Sequence, residues 1–236
     1  MRRPIVAGNW KMHGSRALIE SFEVSLDVRD GVDVVVFPPA PYLPLAVERL
    51  QGAEIGLQNA HVEKAGAYTG EIAAEMAAEL GARYVLVGHS ERRRLFFETD
   101  DVVAAKYGAA LRAGLIPILC VGETLEERRE GRQSEVVLSQ LDAVLAESTS
   151  GGAIVAYEPV WAIGTGETAT PSQAQEMHAA IRGALGDRET RVLYGGSVTA
   201  ENAPALFAED DIDGGLVGGA SLEPLSFNAI THAADH

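Results

Sequence analysis

Three side chains able to move or steer a proton sit just past apolar runs in this sequence. Glu158 follows Ala153–Tyr157 and opens the segment Pro159-Val160-Trp161-Ala162-Ile163-Gly164-Thr165-Gly166. Large apolar side chains in what should be a polar loop need something to bury against. A lid that closes over a ligand and excludes water fits, with Gly164 and Gly166 permitting unusual backbone angles. A carboxylate beneath a dry lid is well placed to abstract a proton. His89 stands in Gly88-His89-Ser90-Glu91-Arg92, after the run Arg83–Val87. Ser90 is expected to N-cap a helical turn there. Helix-start amides near the ring would disfavour an imidazolium and leave a neutral donor for a substrate carbonyl. Lys11, in Asn9-Trp10-Lys11-Met12, offers a cation for a phosphate or a developing oxyanion, or an amine for a Schiff base. The residues alone leave both roles open.

Two glycine loops complete the set. Gly195-Gly196-Ser197 and Gly218-Gly219 have a plain reading as tight turns and a functional one as a phosphate cradle of backbone N–H groups. The histidines His61, His178, His232 and His236 show no ligand spacing, and the sequence has neither a metal motif nor a nucleotide-binding P-loop. No metal and no cofactor are expected.

Placing these residues together requires a particular arrangement of elements. Short Val-, Ile- and Leu-rich runs recur, each followed by a helix-like stretch: Pro4–Asn9, Val32–Phe37, Glu54–Gln58, Arg83–Val87, Ile116–Val121, Ala153–Tyr157, Arg191–Tyr194 and Gly214–Val217. Nearly continuous apolar runs suit parallel strands buried on both faces. Strands alternating with helices imply right-handed crossovers. Eight such units close naturally into a barrel, with an open doubly wound sheet as the competitor. In a barrel the loops after the strands gather on one face. Asn9, Lys11, His89, Glu158 and both glycine loops would then meet there, and otherwise would not.

The chain has 236 residues, against about 250 for a typical barrel of this kind. No linker divides it, so a single α/β domain spanning 1–236 is expected. Its net charge of −15 argues against nucleic acid and anionic membranes. No apolar stretch approaches the roughly 20 residues of a membrane span. Met1-Arg2-Arg3-Pro4 leads into a strand rather than a secretory segment, so a cytoplasmic protein is expected. The single Cys120 lies in an apolar run and reads as a buried, inert thiol. Arg92–Arg94 reads as a solvated or ion-paired patch.

The runs AGNWKM (Ala7–Met12), GHSERR (Gly88–Arg93), AYEPVWAIGTG (Ala156–Gly166), YGGSV (Tyr194–Val198) and LVGGASL (Leu216–Leu222) resemble the signatures of the triosephosphate isomerase family. They occur in that family's order and span almost the whole chain. The resemblance implies a single-domain (β/α)8 TIM barrel that interconverts dihydroxyacetone phosphate and glyceraldehyde 3-phosphate without cofactor, in glycolysis and gluconeogenesis. It implies Glu158 as the base and His89 as the electrophile; this family is itself the reference case for a neutral histidine at a helix start. Lys11 would stabilise the enediolate and the phosphate, Asn9 would support the oxyanion, and Glu91 would stand behind Lys11 and His89. Pro159, Val160, Trp161, Ala162, Ile163, Gly164, Thr165 and Gly166 would form the lid. The amides of Gly164, Ser197, Gly218 and Gly219 would hold the phosphate. A homodimer is implied too, with Thr69 of the loop Gly66–Glu71 reaching the other subunit's site.

Three departures from the family pattern stand out. His13 occupies a position where the family usually has asparagine and which faces the dimer contact, which puts interface strength and its pH dependence in question. Glu167 stands where lysine is common at the lid's second hinge. The chain is also slightly short, consistent with trimmed outer loops. Two competing functions are a phosphosugar aldolase using Lys11 as a Schiff base and a non-catalytic phosphate-binding barrel. The joint presence of Glu158, His89 and Lys11 favours the isomerase.

Overall fold

The apolar runs become eight strands: β1 (Ile5–Asn9), β2 (Asp33–Phe37), β3 (Glu54–Leu57), β4 (Tyr84–Val87), β5 (Ile116–Val121), β6 (Ile154–Tyr157), β7 (Arg191–Tyr194) and β8 (Gly214–Val217). The structure is a computed structural model and describes residues 2–145, 153–163 and 168–235. Each strand pairs in parallel with the next, and β8 returns to β1 to close the barrel. Closure is visible in the register, where Ile5 lies opposite both Asp33 and Gly214. The (β/α)8 expectation holds, and the open sheet is excluded.

Two-residue periodicity explains why both strand faces are apolar. Ile5, Ala7, Val35, Phe37, Leu86, Ile118, Ala156 and Leu193 point inward and fill the barrel. Their neighbours Val6, Val34, Val36, Val85, Leu119, Val155 and Val192 point outward under the helices. Burying one such side chain stabilises the fold by about 1.5–3 kcal/mol.

Helices cover the outside: α1 (Arg16–Ser25), α2 (Leu43–Arg49), α3 (Ala74–Glu79), α4 (Ser90–Leu95), α5 (Asp100–Arg112), α6 (Leu125–Arg129), α7 (Gln133–Leu145), α8 (Pro171–Leu185), α9 (Ala203–Phe207) and α10 (Pro224–Ala233). Their ends follow local chemistry. Thr99 accepts the Val102 N–H and so starts α5 at Asp100. Thr170 and Gln173 form a capping box at α8, Pro171 sits in its first turn, and Gly186 ends it at φ 63°. No helix of the described residues is long and apolar enough to cross a membrane.

Two short helices, α4 and α6, sit in the loops after β4 and β5. They are too brief to leave a helical period in the sequence. At α4 one expectation is corrected: the N-cap is His89, not Ser90, because the imidazole Nδ1 accepts the Glu91 N–H. The cap therefore uses the ring itself, and Ser90 is the first helical residue.

Candidate active site

Barrel closure brings Asn9, Lys11, His89, Glu158, Ile163, Ser197, Gly218 and Gly219 around one cavity of about 250 Å3 at the strand C-termini. Asn9 ends β1, and Lys11 follows it. His89 lies two residues after β4, Glu158 one after β6, Ser197 three after β7, and Gly218 one after β8. Segments from across the chain thus supply one wall each.

Glu158 is buried, and both of its carboxylate oxygens are occupied. Oε2 accepts the Ser90 N–H at 2.8 Å, and Oε1 lies 3.0 Å from His89 Nε2. Burial pushes the carboxyl up, but His89, the Ser90 amide and Lys11 outweigh that and hold it below the usual carboxylate range. The carboxylate is therefore held between two donors.

His89 is buried as well. Burial disfavours its imidazolium and the Glu158 carboxylate favours it, with a net upward push on the ring's pKa. That push belongs to the neighbouring carboxylates. The Glu91 amide occupies Nδ1 at 3.2 Å, so a proton there would meet another hydrogen. The tautomer that satisfies both contacts carries its hydrogen on Nε2, facing the cavity. Burial and the Glu91 amide oppose the imidazolium, and the Glu158 carboxylate is the largest influence that favours it.

Lys11 Nζ is ion-paired with Glu91 Oε1 at 2.6 Å, and Glu91 Oε2 lies 3.9 Å from His89 Nδ1. Glu91 itself does not line the 250 Å3 cavity; it lines an adjoining one of about 550 Å3 that shares Asn9, Lys11 and His89. The lysine shaft lies against the glycine loop after β8, where a side chain added at Gly218 would stand 3.4 Å from Lys11 Cε. Glycine is required at 195 for a different reason: a Cβ there would come within 2.9 Å of Glu158 Cγ. Among the described residues no three His, Cys, Asp or Glu side chains form a group able to hold a metal ion.

The expected lid is described only in its first half. Pro159, Val160, Trp161, Ala162 and Ile163 are present, with a single 3-10 turn at Val160–Ala162, and Ile163 lines the cavity. Gly164, Thr165, Gly166 and the hinge residue Glu167 lie outside the described residues. The lid root rests on a residue that the sequence reading missed. Glu123, fully buried after β5, accepts from Tyr157 Oη at 3.0 Å, Trp161 Nε1 at 2.8 Å and Arg128 at 2.9 Å. Its backbone carbonyl accepts the Val160 N–H at 3.1 Å. The available signal was a glutamate two residues past an apolar strand, on the face where chemistry gathers.

Thr69 is exposed and lines neither cavity, while Gly70 and Glu71 of the same loop line the 550 Å3 one. Arg92 and Arg93 pair with Glu98 and Asp100, as an ion-paired patch should. Cys120 is fully buried, and burial pushes its thiol well up, consistent with an inert role. His61 stacks on Tyr68, His178 is buried and His232 pairs with Asp27; His236 is outside the described residues.

Comparison with known proteins agrees with this geometry. The sequence model of the family described as triosephosphate isomerase matches residues 4–234. A triosephosphate isomerase of Dechloromonas aromatica is 52% identical over 100% of both chains. Those of Xanthomonas euvesicatoria and Stenotrophomonas maltophilia strain K279a are 50% and 52% identical, each over 99% of both chains. The chain belongs to the triosephosphate isomerase family.

Proposed function

We infer that this protein interconverts dihydroxyacetone phosphate and glyceraldehyde 3-phosphate, the aldose–ketose isomerisation shared by glycolysis and gluconeogenesis. One observation carries the reading: a buried carboxylate, Glu158, lies 3.0 Å from an imidazole donor at the edge of a cavity walled by glycine backbone.

In the proposed cycle the substrate phosphate rests on the amides of Ser197, Gly218 and Gly219, with Gly164 joining from the lid. Glu158 leaves His89 and Ser90 and removes a proton from the carbon next to the carbonyl. The electron pair moves onto the carbonyl oxygen and forms an enediolate. His89 Nε2–H, freed by the departing carboxylate, donates to that oxygen. The Lys11 ammonium and Asn9 stabilise the developing charge, and Glu91 anchors Lys11. His89 passes its Nε2 proton to the former carbonyl oxygen and takes up the proton of the adjacent hydroxyl. That hydroxyl oxygen becomes the new carbonyl as Glu158 returns its proton to the former carbonyl carbon. General base catalysis of this kind contributes roughly 10^2–10^4-fold, and preorganised donors add to it. The route changes no oxidation state overall and needs no Lewis acid. The contact of Lys11 Nζ with the Glu91 carboxylate at 2.6 Å supports an electrostatic role for Lys11 over the Schiff-base reading.

The segment Pro159–Gly166 is the proposed lid, rooted on Glu123. A homodimer is proposed as well. Supporting it, Met12 and Phe96 are 95% and 61% exposed beside the 550 Å3 cavity, which is large enough to receive a loop. Thr69 on its exposed loop is the residue proposed to enter the partner's cavity, with His13 beside the contact. We further propose one domain over 1–236 and a cytoplasmic location. The test is a coupled assay with glyceraldehyde 3-phosphate: turnover is expected, and none from the folded protein would refute the function.

A further inference from the structure

Lys11 has an unusual backbone. It is one of two non-glycine residues with positive φ among those described, at 50°. A side chain in that left-handed region is strained and persists only where its surroundings over-determine it. Two side chains hold it. The Lys11 N–H donates to Asn9 Oδ1 at 2.9 Å, and the Lys11 carbonyl accepts Gln58 Nε2–H at 2.8 Å. The second hydrogen of the same Gln58 amide goes to the Phe37 carbonyl, also at 2.8 Å. Phe37 ends β2, and its carbonyl also accepts the Trp10 N–H at 3.1 Å. Gln58, just past β3, thus ties the exits of β1 and β2 together at the peptide that carries Lys11. It lines the 550 Å3 cavity rather than the 250 Å3 one, and its amide donates to the Lys11 and Phe37 carbonyls.

We propose that Gln58 is a positioning residue for the isomerisation: its carboxamide, spanning the Lys11 and Phe37 carbonyls, locks Lys11 in the left-handed turn that aims its ammonium across the cavity. This rests on the role of Lys11 proposed above. Without the brace, the Lys11 peptide relaxes toward negative φ and the side chain swings away from Gly218. Glutamine suits the task because both hydrogens of one NH2 point at fixed carbonyls. A glutamate of the same shape would set negative charge against both.

The test compares Gln58→Met, Lys11→Met and the double variant. Each is measured for kcat, KM, affinity for inorganic phosphate and unfolding midpoint, at a protein concentration giving one oligomeric state by native mass. Gln58→Met is expected to lower kcat/KM roughly 10- to 100-fold, the scale of a small misplacement of a charged group. It should weaken phosphate binding in parallel. In the Lys11→Met background the same substitution should change neither quantity further, because Gln58 acts through Lys11. Unchanged kcat/KM with only a lowered midpoint, or additive losses in the double variant, would overturn the proposal. If Lys11→Met itself alters neither turnover nor phosphate affinity, the reading of Lys11 fails instead. Should Gln58→Met not fold, Gln58→Asn, one methylene too short to span both carbonyls, should show the same pattern at smaller amplitude; wild-type kinetics from it would equally overturn the brace.

Discussion

The two ends of the barrel hold similar charged groups and use them differently. At the N-terminal end, Asp213 accepts from Arg2 at 2.6 Å, Arg182 at 2.7 Å and the Val192 N–H at 2.8 Å. Arg182 also pairs with Asp211, and Arg191 with Asp33. At the C-terminal mouth Glu158 is equally saturated, by His89 and Ser90. The difference lies in the partners. Those of Asp213 are arginines and a strand amide. Those of Glu158 are a titratable ring and a helix-start amide beside a cavity of about 250 Å3. Saturation with fixed partners stabilises the fold; in the proposed cycle, saturation with partners that a substrate replaces holds a base in readiness. This is the division of labour expected for the two faces of such a barrel.

The contrast can be broken at its strongest point first. Glu158→Gln keeps the side chain's shape and removes the base, so kcat should fall by roughly 10^2–10^4-fold or more while phosphate affinity and unfolding midpoint stay close to wild type. At the other end Asp213→Asn should do the reverse. Taking the charge of one carboxylate from Arg2 and from Arg182, whose side chain is 10% exposed and keeps Asp211, should cost about 3 kcal/mol in denaturant unfolding, with kcat of the folded protein unchanged.

A pH effect of similar size belongs to the same end. His178 donates through Nδ1 to the Asp211 carbonyl at 3.2 Å, and burial pushes its pKa down to about 4. The unfolded chain binds this proton near pH 6.5 and the folded one does not until about 4. Stability should therefore be full above pH 6.5 and fall by about 3 kcal/mol as the pH drops to 4. His178→Phe should flatten that part of the stability–pH curve, since Arg182 still donates to the same carbonyl. As the smallest effect, Arg29→Ala removes an exposed pair with Asp27 and should change stability by no more than about 1 kcal/mol.

How much was legible in the sequence follows the same division. Strands β5, β7 and β8 have the limits that their apolar runs announced, because inward and outward faces are both buried and the runs are unbroken. That Glu158, His89, Lys11 and the glycine loops meet at one mouth was legible because each stands just past such a run. The supports were not. Glu123 hydrogen-bonds to Tyr157, 34 residues away, and Gln58 to Lys11, 47 residues away, and no local period encodes those. The N-cap of α4 was misassigned to Ser90 because a serine hydroxyl is the commoner cap, whereas here the ring of His89 fills that place.

The most direct measurement runs the reaction in deuterium oxide. If Glu158 takes the substrate proton and holds it in an enediolate complex open to exchange, glyceraldehyde 3-phosphate formed from dihydroxyacetone phosphate should carry deuterium at C2. Glu158→Gln should lose exchange and turnover together. Product containing only protium at C2 together with undiminished turnover by Glu158→Gln would contradict the role given to Glu158.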